Sequence, residues 1–189
     1  MDEIQKVLRS TPRGEIALQP GQPLREDYEY QRFGKCSLFL AVEPLAGFRK
    51  VWVRHQRTSN DFAHVIKTLV DDVYADAEKL VLVVDNLNIH HPAALYDTCA
   101  APEARRLANR LEWHYTPEHA SWLNIAECEL SVLRRQCLRA RTPDIETVRD
   151  NVAAWEARRN QIQTGIDWRF TTDDARIKLK RLYPVVNIQ

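Results

Sequence analysis

An apolar run, Leu80-Val81-Leu82-Val83-Val84, ends abruptly in Asp85 and the polar string Asn86-Leu87-Asn88-Ile89-His90-His91-Pro92. Such a run reads as a buried strand, and the aspartate behind it as a carboxylate delivered to the strand's exposed tip. Downstream, Tyr115-Thr116-Pro117-Glu118-His119-Ala120-Ser121-Trp122-Leu123-Asn124-Ile125-Ala126-Glu127 offers a second carboxylate at the start of a helix, and Asp2-Glu3 offers a third. Carboxylates converging from separate elements suit a hard divalent cation, since Mg²⁺ takes one or two of them and fills its shell with water and phosphate oxygens. Two such ions roughly 3.5–4 Å apart clamp an in-line displacement at phosphorus. Asp2, Asp85 and Glu127 meet that demand if the fold brings them together. Helical geometry alone does not choose between Glu127 and Glu129, which lie on opposite margins of one apolar stripe. His90 and His91 follow Asp85 closely enough to orient a substrate or a water. His114 and His119 have no convincing zinc partner.

The elements that must position these groups can be read along the chain. Residues 1–33, rich in charge, glutamine and proline, read as irregular structure or a long excursion. Ser37–Val42 and Phe48–Val53 flank the turn residues Pro44-Leu45-Ala46-Gly47 and make a hairpin. Thr58-Ser59-Asn60-Asp61 caps an amphipathic helix carrying Phe62, Val65, Ile66, Leu69, Val70 and Val73 on one face. The strand Leu80–Val84 follows, then helical stretches from Pro92 through Leu95 and Pro102 to Arg110. A short strand, Leu111–Tyr115, precedes a long helix over Trp122–Leu138 whose stripe is Leu123, Ala126, Leu130, Leu133 and Cys137. Thr142, with Pro143 at the first helical position, caps a further helix. A last helix spans about Asp173–Leu182. The expected fold is α/β: one mixed sheet, an antiparallel hairpin plus parallel strands, flanked by helices. Ligands of such sheets gather beyond the C-terminal ends of the parallel strands, where Asp85 would sit.

Bulk composition narrows the classes. The chain has 189 residues, 44% apolar and 28% charged, as a globular protein does. No apolar stretch approaches the roughly 18–20 residues of a membrane span. The acidic opening residues are not a signal peptide, and a cytoplasmic location without membrane partners is expected. Cys36, Cys99, Cys128 and Cys137 lack the spacing of a zinc or redox site and read as reduced thiols. A net charge of +1 excludes a uniformly basic nucleic-acid binder, although Arg134, Arg135, Arg139 and Arg141, and Lys178, Lys180 and Arg181, form clusters that could meet phosphates.

With these residues in view, the chain resembles the mariner-type transposases of bacterial insertion sequences, in the DDE superfamily of ribonuclease-H-like enzymes. Asp85-Asn86-Leu87-Asn88-Ile89-His90 is similar to the block around that family's second catalytic aspartate. Tyr115-Thr116-Pro117 through Ser121-Trp122-Leu123-Asn124 and Glu127 is similar to the block around its catalytic glutamate, and the Asn124 to Glu127 spacing favours Glu127 over Glu129. Met1-Asp2-Glu3 looks like the first acidic block, and Trp168–Arg176 like the end of such proteins. The resemblance implies a ribonuclease-H-like catalytic domain over residues 1–140, with a C-terminal helical extension over 141–189. It implies Asp2, Asp85 and Glu127 as catalytic and metal-ligating residues, with Asn86, His90 and Asn124 as further site candidates. It implies two Mg²⁺ or Mn²⁺ ions, DNA (transposon ends and target) as partner, a homodimer as an open possibility, and strand cleavage followed by strand transfer. The family's helix-turn-helix and most of its first strand have no counterpart before Asp2, so a truncated chain with poorly supported Asp2 is expected. An inactive remnant that binds DNA weakly or associates with full-length copies is the alternative reading.

Overall fold

The computed structural model describes residues 1–12, 15–16, 20–21, 25–26 and 28–180. Parts of the proline-rich stretch near residues 17–24, and the expected end of the last helix at residues 181–182, lie outside the described residues.

The opening of the chain is the first correction. Asp2–Ser10 is a nine-residue strand, β1, and not irregular structure. It pairs antiparallel with Gln31–Glu43, β4, matching Asp2 to Leu40 and Val7 to Lys35. Alternation explains it: Ile4 and Leu8 face one core while the stem of Lys6 lies between them, its ammonium bonded to the Leu138 and Ala140 carbonyls at 2.6 Å. Polar residues such as Gln5, Lys6 and Arg9 hid this strand in the composition. Asp2 thus has a strand behind it, built downstream of the residue and not upstream, and its support does not depend on preceding chain. Two short strands, Glu15–Ile16 (β2) and Arg25–Glu26 (β3), pair between β1 and β4.

The hairpin is present as read. Strand β4 turns through Pro44–Gly47 into Phe48–Arg54, β5, in antiparallel register from Glu43↔Phe48 to Ser37↔Arg54. Gly47 has φ +64°, and a Cβ there would meet the Gln163 backbone at 2.3 Å, so only glycine fits. Helix α1, Ser59–Thr68, starts with a full capping box between Thr58 and Asp61 and relaxes into a π-helical turn at Leu69–Val73. Strand β6, Leu80–Val84, pairs in parallel with β7, Leu111–Tyr115. Between them run α2, Ala93–Thr98, and α3, Ala101–Asn109.

The expected single sheet is divided. Strands β1, β4 and β5 form one ladder and β6 and β7 another. They meet where the Met1 amine donates to the Val83 carbonyl at 2.7 Å, because β1 begins at the point where it reaches β6. The arrangement is compatible with a ribonuclease-H-like fold. Strand β6 also buries one face instead of two: Leu82 and Val84 are covered, while Val81 and Val83 are 64% and 42% exposed.

Helices on both sides of the β1–β4–β5 sheet create two cores. Phe39, Trp52, Leu82 and Val84 meet α1, α2 and α3 on one side. Leu38, Leu40 and Val51 meet the later helices on the other. The long helix expected over 122–138 is shorter: a 3₁₀ turn at Ser121–Leu123, an extended Asn124, then α4, Ala126–Gln136. Asn124 leaves the helix because its side chain is used elsewhere, as described below. Helix α5 spans Ile145–Gln161, capped by Asp144 and not Thr142. Asp144 accepts from Thr147 N–H at 2.8 Å, while the Thr142 carbonyl accepts from Arg9 N–H and stays extended along β1. Helix α6 covers Thr172–Lys178. No described helix is long and apolar enough to cross a membrane, and all four cysteines are free thiols.

A buried ionic junction ties α4 and α5 to the hairpin. Arg49 Nε lies 3.1 Å from Glu129 Oε1, an ion pair not aligned as a hydrogen bond, and Arg159 Nε donates to the same oxygen at 2.7 Å. Arg49 and Glu129 are both sealed from solvent. Glu129→Ala would strand two guanidiniums beside apolar walls, and should cost about 3–5 kcal/mol in denaturant unfolding. A loss below about 1 kcal/mol would mean the junction is solvated.

Candidate active site

Each carboxylate singled out in the sequence stands at the start or just past the end of an element. Asp2 starts β1, Asp85 follows β6, and Glu127 stands in the first turn of α4. Asp2 is buried and its Oδ1 accepts from Glu3 N–H at 2.8 Å. Burial, with the charges of Glu3 and Asp85, pushes its carboxyl up to about 6. Asp2, Glu3 and Glu127 line one open cavity of about 320 Å³ with Ile4, Leu130, Ser131 and Arg134. Glu127 is half-buried, whereas Glu129 is committed to the Arg49–Arg159 junction. Among the described residues, no three His, Cys, Asp or Glu side chains stand in an arrangement that could hold a metal ion.

The three further candidates turn out to be braces. His90, fully buried, places Nδ1 2.7 Å from Asp85 Oδ1 and Nε2 2.8 Å from Glu3 Oε2. Burial alone would lower its pKa, but the hydrogen bonds and charges of Glu3 and Asp85 outweigh that and raise it. With a carboxylate oxygen at each ring nitrogen, the geometry suits an imidazolium donating at both ends. Phe62 packs against the ring at 4.9 Å between centroids. Leu87 N–H adds a second bond to Asp85 Oδ1 at 3.1 Å. Among the described residues, Oδ2 of Asp85 and Oδ2 of Asp2 accept no hydrogen bond and remain for a ligand.

Asn124 is the second brace. Its Nδ2 donates to the Met1 carbonyl at 2.7 Å and its Oδ1 accepts from Ala126 N–H at 3.2 Å, so one buried amide fastens the start of β1 to the start of α4. Asn86 donates to the Thr116 carbonyl and joins the tips of β6 and β7. His91, His114 and His119 take no part: His114 bonds Glu112 on the exposed side of β7, and His119 is exposed.

Glu3 is the residue whose role the sequence reading missed. Its neighbour Asp2 drew attention as the first ligand, yet Glu3 anchors the far end of His90 and pairs weakly with Arg57 at 3.5 Å. The adjacent acidic pair at the head of an alternating strand was the available signal, since neighbouring strand residues face opposite ways.

A family model described as DDE superfamily endonuclease matches residues 1–149. No curated protein and no solved structure matches the chain.

Two outcomes follow from this geometry. The folded state holds the Asp2 proton up to about 6, against an ordinary 3.8, so this carboxyl withdraws stability as pH rises through that interval. Metal-free thermal unfolding should show the wild-type Tm falling across that range relative to Asp2→Asn, which keeps the Glu3 bond. Parallel curves would show that Asp2 is solvated. His90→Ala leaves the buried Glu3 carboxylate with Arg57 alone and should cost about 1–3 kcal/mol by chemical denaturation.

Proposed function

The chain belongs to the DDE superfamily of endonucleases, and on that premise we propose that it is the catalytic domain of a transposase-type nuclease that cleaves DNA with divalent metal ions. The observation that carries this reading is Asp2. A carboxyl buried at a strand start, raised to about 6 by burial and by the charges of Glu3 and Asp85, and sharing a cavity with Glu127, is short of positive charge. Hard oxygen donors in that state suit Mg²⁺ or Mn²⁺.

In this reading Asp2, Asp85 and Glu127 would hold two ions. When bound, these ions supply charge neutralisation and polarise the attacking water and the leaving oxygen of an in-line displacement. His90 keeps Asp85 from swinging by occupying Oδ1, which leaves Oδ2 available to a ligand. Such outer partners matter because their loss commonly costs roughly 10–100-fold in metal affinity or activity. Asn124 keeps Asp2 and Glu127 in register by tying their elements together. Arg134, in the same cavity, offers its guanidinium to a phosphate oxygen. The finer reading is that of a mariner-type insertion-sequence transposase, in which the freed 3′ hydroxyl then attacks target DNA at the same carboxylates. The inert-remnant alternative rested on an unsupported Asp2, and β1 gives that residue its ladder.

The test pairs metal binding with cleavage. Wild-type chain should bind Mn²⁺ in calorimetry and nick supercoiled DNA in Mg²⁺ or Mn²⁺. Asp85→Asn, which keeps the His90 acceptor, should lose nicking to background and weaken Mn²⁺ binding. Equal nicking by both proteins would refute the assignment.

A further inference from the structure

Beside the carboxylate cavity lies a second cavity of about 270 Å³, and the two share Ile4 and Arg134. Its charged lining is Lys6 and Arg9 from β1, Arg134 from α4, and Arg139 and Arg141 from the segment after α4; among the described residues no acidic side chain lines it. In a chain of net charge +1, five cations on one groove are a concentrated field. Helix-end arginines commonly offset the helix dipole, which would account for Arg134 alone. It does not account for Arg9 on a strand or Arg139 beyond the helix.

Three of these cations are also underused. Among the described residues Arg9, Arg134 and Arg139 form no ion pair, and Arg9 Nε is buried without a hydrogen-bond partner. The guanidiniums of Arg9, Arg32 and Arg141 stand 4.6, 5.4 and 5.9 Å from the centre of the Tyr30 ring. Arg32 donates to the Tyr30 hydroxyl at 3.0 Å. Burial, and then the charge of Arg9, lowers the pKa of Lys6. Like charges pressed together around an exposed aromatic ring gain most from a polyanion that carries its own stacking groups.

We infer that the groove between β1 and the C-terminal end of α4 carries the phosphodiester backbone of one DNA strand away from the carboxylates, toward Tyr30. The direction rests on the endonuclease reading; the cationic face itself does not. From Asp2 to Arg9 a strand rises about 23 Å, the axial length of roughly seven phosphates on one strand of B-DNA.

The experiment is fluorescence anisotropy of a short labelled duplex with the full chain in EDTA, between about 50 and 200 mM salt. Arg134→Ala/Arg139→Ala should weaken binding by at least about tenfold and flatten the logarithmic salt slope by about 1.8, two phosphate contacts' worth. Arg105→Ala, on the exposed side of α3, should change neither. An unchanged affinity and slope in the double variant, with wild-type circular dichroism, overturns the groove while leaving the endonuclease reading intact. So does displacement of the duplex by polyaspartate more effectively than by unlabelled DNA at equal charge, which would assign the groove to an acidic peptide. Groove-dependent binding by a wild type that neither binds Mn²⁺ nor nicks DNA sustains the groove and overturns the nuclease.

Discussion

The site depends on a buried imidazole stretched between two carboxylates. His90 links Glu3 on β1 to Asp85 after β6, across the seam where, among the described residues, the two sheets share a single backbone bond from Met1 to Val83. A seam with so little ladder would let the two elements slide. A charge-assisted bond at each end of a rigid ring fixes their separation far better than another apolar contact would. Asn124 does the same for β1 and α4 with one amide. Two buried polar side chains, neither of which needs to touch a substrate, therefore tie together the three elements that carry Asp2, Asp85 and Glu127.

That arrangement explains a division of labour among the acidic residues. Asp2 and Glu127 open on one cavity, whereas Glu3 and Glu129 are spent inward, on His90 and on Arg49 with Arg159. One residue along the strand, or two along the helix, is enough to reverse the role. Glu129 stabilises the packing of α4 and α5 on the hairpin, and so holds steady the helix from which Glu127 projects. Structure and chemistry are coupled through one turn of α4.

Electrostatics then separates the surface into two adjoining regions. The carboxylate cavity is lined by Asp2, Glu3 and Glu127 against Arg134 alone, and the neighbouring groove by five cations. The near-neutral net charge of the chain conceals both. A small mobile cation suits the first region and an extended polyanion the second.

Much of the frame was legible in the residues alone. The hairpin around Pro44–Gly47, the capping box at Thr58, both parallel strands and the position of Asp85 follow from local periodicity and turn chemistry, which act over a few residues. The two sequence blocks around Asp85 and Glu127 carried the family, and the match over residues 1–149 bears that out. Strand β1 escaped notice because Gln5, Lys6 and Arg9 masked its alternation, and only pairing with β4 makes it a strand. The break before α4 escaped because Asn124 leaves the helix for a partner at the other end of the chain. The same holds for His90 and Glu3, far apart in sequence and 2.8 Å apart in space. Local preferences determined the pieces; which side chain braces which was decided by tertiary packing, because a buried polar group must find its partner wherever the fold brings one.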